Sequence, residues 1–514
     1  MNGLDGQGFE EEMCMTSLCL EVDPNTGACL QEQLRKTLLE AIRMGSLPSE
    51  DALPSCRKLS QQLGISRNTV AIVYEKLVED GYLISRPRSG YYLHPDYSDP
   101  QSTLSSSLTA LTETNNGAIS APNWHKRIAQ RPTNYQGILK PGNWSEYAYP
   151  FIYGQLDTRL FPLAQWRDVS RRLLSSQRDK PWLRDRIDQD DPFLIEQLRK
   201  RILPRRGIFA RSEEILITMG TQNALYLIAQ LLCHRGTRVA LESPGYREAM
   251  NVFAQRGASL QLQTVDTEGM RLEGSQQCDY LYVMPSHQVP TGVTMSRERR
   301  ETLLAQLPHR DQIVIEDDYD AEIHGDQFAL PALKASAQSA RIIYMGSLSK
   351  ALSPGLRMGY VVADAEVIDE LRALRRMMYR HPPAALQHQL AQFISQGYYE
   401  RYLKLHVEEI DRRRDAMRIA IDQALPGCLS HSSSRSSAFW MEADAGIDTQ
   451  RLAWHAAQRG VLIEPGFQHF FDAAPTRRFF RLGFGAIERE RIDPGIQRLG
   501  FAYDNALNTL TTGT

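Results

Sequence analysis

Residues 346–360 read GSLSKALSPGLRMGY, and the reading of this stretch decides what kind of domain fills the second half of the chain. It sets Lys350 in a loop rich in Ser and Gly, with Arg357 seven residues further on. A lysine in such a loop is by default a solvated surface residue. It becomes a chemical anchor only if neighbouring segments supply a place for an anion, a flat aromatic surface and a buried acid.

Working outward, those groups are present. From about residue 146 to 502 helical patterns alternate with short β-branched runs: ILIT (215–218), RVALE (238–242), YLYVM (280–284), QIVIEDD (312–318) and RIIYMGS (341–347). Strands spaced by helices predict an α/β domain with a largely parallel sheet. ILIT is followed by Gly220, Thr221 and Gln222 and then a helix, whose first amides form an anion site strengthened by the helix dipole. Tyr246 follows another strand, where its ring can stack on a flat cofactor; taken alone it reads equally well as a half-buried structural tyrosine. In IVIEDDYDAEIH (313–324) Asp317 ends a buried strand and Tyr319 lies two residues on. A carboxylate there holds a pyridine nitrogen protonated, and a phenol donates to a ring hydroxyl. Lys350 supplies an amine for a Schiff base, Arg357 a bidentate phosphate contact, and Ser347 and Ser349 hydroxyl donors. All fall at successive strand ends, where α/β sheets bind ligands. Together they specify pyridoxal 5′-phosphate (PLP). Their order and spacing resemble the fold-type I aminotransferases over about 350 residues. In FRLGFG (480–485) the resemblance makes Arg481 the group that holds a substrate carboxylate.

The bulk properties suit such a domain and leave room for another. At 514 residues the chain is too long for one ordinary core. Its formal net charge of −2 argues against a chain that is basic throughout. No apolar run approaches the roughly 20 residues needed to span a bilayer, so no membrane partner is expected. The acidic start MNGLDGQGFEEEM lacks the basic and apolar regions of a signal peptide. Seven scattered cysteines with no CxxC pair suggest reduced thiols and no metal cluster. A cytoplasmic location is expected, nucleoid-associated when bound to DNA. Residues 94–145 are rich in Ser, Thr, Asn and Pro, the composition of a linker, and residues 503–514 read as a polar, frayed tail.

Residues 53–93 read LPSCRKLSQQLGISRNTVAIVYEKLVEDGYLISRPRSGYYL. Leu59, Leu63, Ile65, Val70, Val73, Leu77 and Leu83 fit short helices with a turn at Gly64. Ser66 caps the second of them, so Arg67, Asn68 and Thr69 occupy its first turn. In a helix-turn-helix that turn enters the major groove. Pro87 to Gly90 between two strand-like runs forms a wing carrying Arg86 and Arg88. Six Lys or Arg against three Asp or Glu in residues 54–90 give a local excess of positive charge suited to phosphates. The blander alternative is a small helical interaction module with a solvated charged face. The stretch resembles the winged helix of GntR-type regulators, matching at Pro54, Ser55, Arg57, Leu59, Gly64, Ser66, Arg67, Thr69, Val70, Tyr74, Leu77, Gly81 and Gly90. The resemblance implies binding of double-stranded DNA through Arg57, Arg67 and Thr69.

A GntR-like winged helix (28–93), a linker and an aminotransferase-like PLP domain (146–502, with a small subdomain from its N-terminal segment and about 391–502) together resemble the MocR-type regulators. The resemblance covers residues 28–500 and implies a multidomain fold: a mainly α winged helix-turn-helix plus an α/β fold-type I domain. It implies a homodimer, and a transcriptional regulator that senses PLP or a small amine or amino acid through an external aldimine. PSHQVPTG (285–292) also resembles that subgroup: Val289 stands where aminotransferases carry an Asn that tunes the ring oxygen. In DRIDQDDPFLIEQLRKRI (185–202) Gln189 and Leu194 replace the family's Tyr and Gly. Such losses are better tolerated by a sensor than by an enzyme, so little sustained turnover is expected. The alternatives are a working aminotransferase with an appended DNA-binding domain, and a purely structural interaction protein. The latter has no use for the lysine and its partners.

Overall fold

The structure is a computed structural model that describes residues 29–43, 47, 51–87, 89–97, 122–138, 140–152, 154, 156–175, 180–320, 330–431, 437–471 and 477–511. Arg88, residues 98–121 and 139 of the expected linker, and the last three residues lie outside the described residues. The chain divides into two compact units, Met1–Ala129 and Gln130–Thr514.

The first unit is built from α1 (Leu30–Arg43), α2 (Cys56–Leu63), α3 (Arg67–Glu79) and a hairpin of β1 (Leu83–Arg86) and β2 (Gly90–Leu93). Each short helix starts on a serine. Ser55 Oγ accepts from Lys58 N at 3.2 Å and Ser66 Oγ from Thr69 N at 3.0 Å, satisfying amides that a helix start leaves unpaired. Gly64 ends α2 in the left-handed conformation with φ 64°, which costs glycine nothing. Leu34, Leu38, Leu59, Val70, Val73, Tyr74, Leu77, Leu83 and Leu93 pack into one buried cluster. Tyr74 is buried whole, and its hydroxyl donates to Pro54 O at 3.0 Å, tying α3 to the entry of α2.

The second unit centres on a sheet of eight strands in the order β4-β11-β10-β9-β8-β5-β6-β7. These are β4 (Ile215–Thr218), β5 (Arg238–Ser243), β6 (Ser259–Asp266), β7 (Gly269–Met270), β8 (Tyr280–Val283), β9 (Ile313–Asp318), β10 (Ile342–Ser347) and β11 (Gly359–Val362), with β3 (Tyr149–Pro150) lying earlier in the chain. The five strands from β10 to β6 run parallel, while β11 is antiparallel to both β10 and β4. Helix α4 (Thr221–Leu232) packs in one apolar layer against the sheet. A second layer, holding Leu194, Leu198, Leu390 and Phe393, packs against Ile217, Tyr344 and Tyr360. Burial on both faces explains why the strands read as continuous apolar runs.

A smaller four-stranded antiparallel sheet, β12-β13-β16-β15, comprises β12 (Leu429–Ser430), β13 (Ala438–Glu442), β15 (Glu464–Pro465) and β16 (Phe479–Gly483). Beside it β14 (Val461–Leu462) pairs in parallel with β3, so Phe151 joins a core otherwise made by residues 410–506. The expected tail departs from the sequence reading: residues 503–511 continue a helix, Ile492–Thr511. Tyr503 and Ala506 are buried, and the Tyr503 hydroxyl donates to Asp444 Oδ2 at 3.1 Å. Two apolar contacts at helical spacing outweigh a polar composition.

Candidate functional site

A cavity of about 370 Å³ opens where the C-terminal ends of β4, β9 and β10 converge, and its lining includes Gly220, Thr221, Tyr246, Asp317, Tyr319, Ser347, Ser349, Lys350, Arg357 and Arg481. Of the residues expected at this site, only Gln222 is set back. It accepts the Tyr246 hydroxyl hydrogen bond at 2.8 Å and so fixes the ring that lines the cavity.

The local backbone explains how the groups meet. Gly220 precedes α4 with φ 80°. A Cβ there would lie 2.9 Å from Arg357 Nη2, so only glycine lets the guanidinium lie against the start of that helix. Arg357 itself has φ 49°, and its Nη2 donates to Met219 O at 3.3 Å. Lys350 N donates to Ser347 Oγ at 3.2 Å, and Ser349 Oγ bonds both the carbonyl and the amide of Met358. The Ser349 hydroxyl, expected as an anion donor, is thus engaged in closing the 349–358 loop that carries Lys350.

Asp317 Oδ2 accepts from the buried Tyr282 hydroxyl at 2.6 Å, and its Oδ1 is buried without a hydrogen-bond partner. Burial, partly offset by the Tyr282 bond and reinforced by Asp318 and Asp320, pushes the Asp317 carboxyl up to about 7. Burial likewise brings the Lys350 amine down to about 7, with Lys140 and Arg481 adding to the effect and Asp320 and Glu464 opposing it. Its nitrogen lies 5.6 Å from the Tyr319 ring centre. Neutral amine is therefore abundant near pH 7, which a nucleophilic lysine requires.

Sequence reasoning missed Lys140, Gly154, Glu464 and His469. Lys140 and Gly154 line the cavity, Lys140 although residues 94–145 carry linker composition. Glu464 faces Arg481 across the β15–β16 ladder, 3.7 Å from its Nη1, and lies 3.8 Å from Lys140. Burial alone would raise the Glu464 carboxyl; the His469 hydrogen bond and the Arg481 and Lys140 charges outweigh it and bring it down to about 2. The buried Glu–Arg cross-strand pair is a signal visible only once the register is known.

In the first unit Arg57, Ser66, Arg67 and Asn68 are exposed, and Thr69 is half-buried with its hydroxyl 2.8 Å from Ser66 Oγ. Arg86 is exposed on the hairpin, its guanidinium carbon 4.3 Å from the centre of the Tyr92 ring. Arg57, Arg67 and Asn68 thus sit at the starts of α2 and α3, and Arg86 at the wing.

Comparison with known proteins agrees with both units. Residues 155–499 match the family "Aminotransferase class I and II", and residues 30–93 match "Bacterial regulatory proteins, gntR family". The α-aminoadipate aminotransferase LysN of Thermus thermophilus, solved with N-(5′-phosphopyridoxyl)-L-leucine, superposes with a TM-score of 0.68 at 26% identity, covering 76% of this chain and 100% of that one. Fold and sites define a winged-helix DNA-binding protein joined to a fold-type I PLP domain. Over nearly its whole length the chain is 37% identical to the HTH-type transcriptional regulator TauR of Rhodobacter capsulatus, covering 93% of this chain and 97% of that protein. It is 29% identical to the probable rhizopine catabolism regulatory protein MocR of Rhizobium meliloti, covering 94% and 96%. The chain belongs to the MocR-type family of HTH transcriptional regulators.

The residues fit PLP as its cofactor. The partnerless buried Asp317 Oδ1 suits a protonated pyridine nitrogen, and the Gly220–Arg357 cradle with the first amides of α4 suits a phosphate. Among the described residues no cluster of His, Cys, Asp and Glu could hold a metal ion, and no helix is long and apolar enough to cross a membrane.

Proposed function

We propose that this protein regulates transcription by reporting the state of its PLP pocket, PLP itself or an amino compound, to a DNA-bound winged helix, with little sustained turnover. One observation carries the reading: a single chain joins a winged helix with Arg57, Arg67 and Asn68 exposed to a pocket lined by Arg357, the half-buried Lys350 and the buried Asp317. When bound, PLP supplies an aldehyde that condenses reversibly with primary amines. The protein's own residues then have separable tasks. Arg357 and the start of α4 would hold the phosphate, Asp317 would keep a proton at the ring nitrogen, and Tyr246 and Tyr319 would bind the ring and its oxygen. Lys350 would supply the amine that holds the aldehyde, and Arg481 would receive a ligand's acidic group. Val289 lines the pocket where aminotransferases carry an amide side chain, so one polar contact to the ring oxygen is lost. That loss weakens turnover more than binding. A homodimer acting in the cytoplasm on paired or directly repeated half-sites completes the reading.

The test pairs DNA affinity with product formation over a panel of amino acids, with PLP present or removed. DNA affinity or footprint that responds to PLP or to one amine, without sustained product, is expected. Turnover at roughly 1 s⁻¹ or faster, with DNA binding indifferent to PLP and every amine, reverses the reading in favour of an aminotransferase that happens to bind DNA.

A further inference from the structure

We propose that residues 130–138 form a strap through which the PLP pocket acts on the linker, and that Asn251 is the positioning residue that ties the strap to the pocket wall. This rests on the reading that pocket occupancy is reported to DNA, and it names where along the chain the report leaves the pocket.

The chain passes from the first unit to the second between Ala129 and Gln130. From there it runs beside the helix Arg247–Gln255, whose N-cap Tyr246 lines the cavity. Gln255 Nε2 donates to Gln130 Oε1 at 3.3 Å, and Asn251 Nδ2 donates to Gln136 O at 2.8 Å. The first bond is exposed, where water competes with it. The second comes from a side chain only 7% exposed, and losing its acceptor strands a buried donor. One residue on, the strap lies flush with the helix. A Cβ on Gly137 would stand 2.8 Å from Glu248 Oε1. Ile138 then joins the lining of the cavity.

Glu248 connects these pieces. It lines the cavity, its Oε2 accepts from Asn251 Nδ2 at 3.3 Å, and its Oε1 is the atom a side chain at 137 would meet first. Filling the cavity therefore changes what both Glu248 and Ile138 face. Ile138 is half-buried, and a bound group covers apolar surface that water otherwise covers. That gain exists only while the strap stays on the helix, so occupancy and docking favour one another. The Asn251 bond sets the position along the helix at which Ile138 reaches the cavity. A docked strap shortens the free length of the linker and a released strap lengthens it. Linker reach grows with free length, so the state of the pocket alters how far the winged helix can range.

The test is limited trypsin digestion of the full-length protein, loaded with PLP or stripped of it. No Lys or Arg lies between Ser89 and His125, and proline follows both Arg131 and Lys140, so Lys126 and Arg127 are the tryptic sites at the entrance of the strap. Both are exposed. Cleavage after Arg127, read by mass as the fragment beginning at Ile128, is expected to slow about fivefold or more when PLP is bound, because proteolysis follows the released population. Asn251→Ala is expected to abolish this protection and the response of DNA affinity to PLP, while the affinity for PLP and its visible absorbance change less than about twofold. Asn251→Gln, which keeps an amide donor, is expected to recover part of both. Retained PLP binding separates a lost tie from general damage. Should Asn251→Ala fail to fold, Gly137→Val on the strap itself is expected to give the same loss. Cleavage indifferent to PLP in the unmodified protein, or protection that survives both Asn251→Ala and Gly137→Val, overturns the strap; the sensing reading then stands on DNA affinity alone. Protection by PLP with DNA affinity indifferent to PLP and to every amine sinks the sensing reading and keeps the coupling of pocket to strap.

Discussion

The charge of one amine illustrates how burial becomes function. With its pKa lowered from 10.5 to about 7, Lys350 is neutral in the folded protein between pH 7 and 10.5 but charged in the unfolded chain. The unfolded state binds the extra proton in that window, so stability rises with pH there, by up to about 1.4 kcal/mol per pH unit. In PLP-free protein, denaturant unfolding at several pH values should show this rising limb, and Lys350→Met should remove it. Asp317 works in the opposite sense. Its raised pKa makes the folded state hold the extra proton between 3.8 and about 7, so its contribution falls as pH rises through that range. The same lysine should be the only site at which borohydride fixes PLP; Lys350→Ala should lose the fixed adduct while retaining some noncovalent binding. Fixation on the alanine variant would place the anchor elsewhere. Lys350, Asp317 and Arg357 were legible in the sequence because each ends a recognisable strand or loop. Lys140 was not, since nothing in GILKPGNW distinguishes a pocket residue from a linker lysine.

Short elements carry the DNA-binding reading, and their legibility has a local cause. Ser55, Gly64 and Ser66 announce the ends of α2 and α3 through side-chain and backbone geometry that needs no distant partner. The first turn of α3 then presents Arg67 and Asn68 outward. Arg67→Ala should weaken specific DNA binding by about 1–3 kcal/mol if its side chain pairs with a base edge, read by titration against a cognate site at fixed salt. A footprint unchanged by Arg67→Ala and Thr69→Ala together removes α3 as the recognition helix. The C-terminal helix shows the reverse case. Residues 503–511 look polar, and their helix is decided by Tyr503 and Ala506 docking on a core assembled from distant segments.

At the scale of the whole molecule, the two units report through different chromophores. Five of the six tryptophans, at positions 144, 166, 182, 440 and 454, lie in the second unit, and residues 30–93 contain none. Tryptophan fluorescence during denaturant unfolding therefore follows mainly the PLP-binding unit. Adding PLP at a hundred times its dissociation constant should stabilise that transition by about 2.7 kcal/mol, and removing it should reverse the gain. An unchanged midpoint would mean that PLP does not bind the native unit. The largely parallel α/β sheet and the winged helix were legible from strand spacing and caps. The β15–β16 register that brings Glu464 to Arg481 was not, because the two residues of β15 leave no periodicity to read.

The pairing of Tyr149 with Val461 gives the order of synthesis a meaning. Among the described residues, every buried side chain of the first unit's core lies between Leu34 and Leu93, so that core can close early in translation. The pocket, in contrast, needs Lys140 from one end and Arg481 from the other, and β3 waits for β14 before its strand has a partner. At roughly 5–20 residues per second, the ribosome completes the DNA-binding unit well before the PLP-binding unit exists. A nascent chain spends that interval with its address label folded and its cofactor-binding half still unwritten.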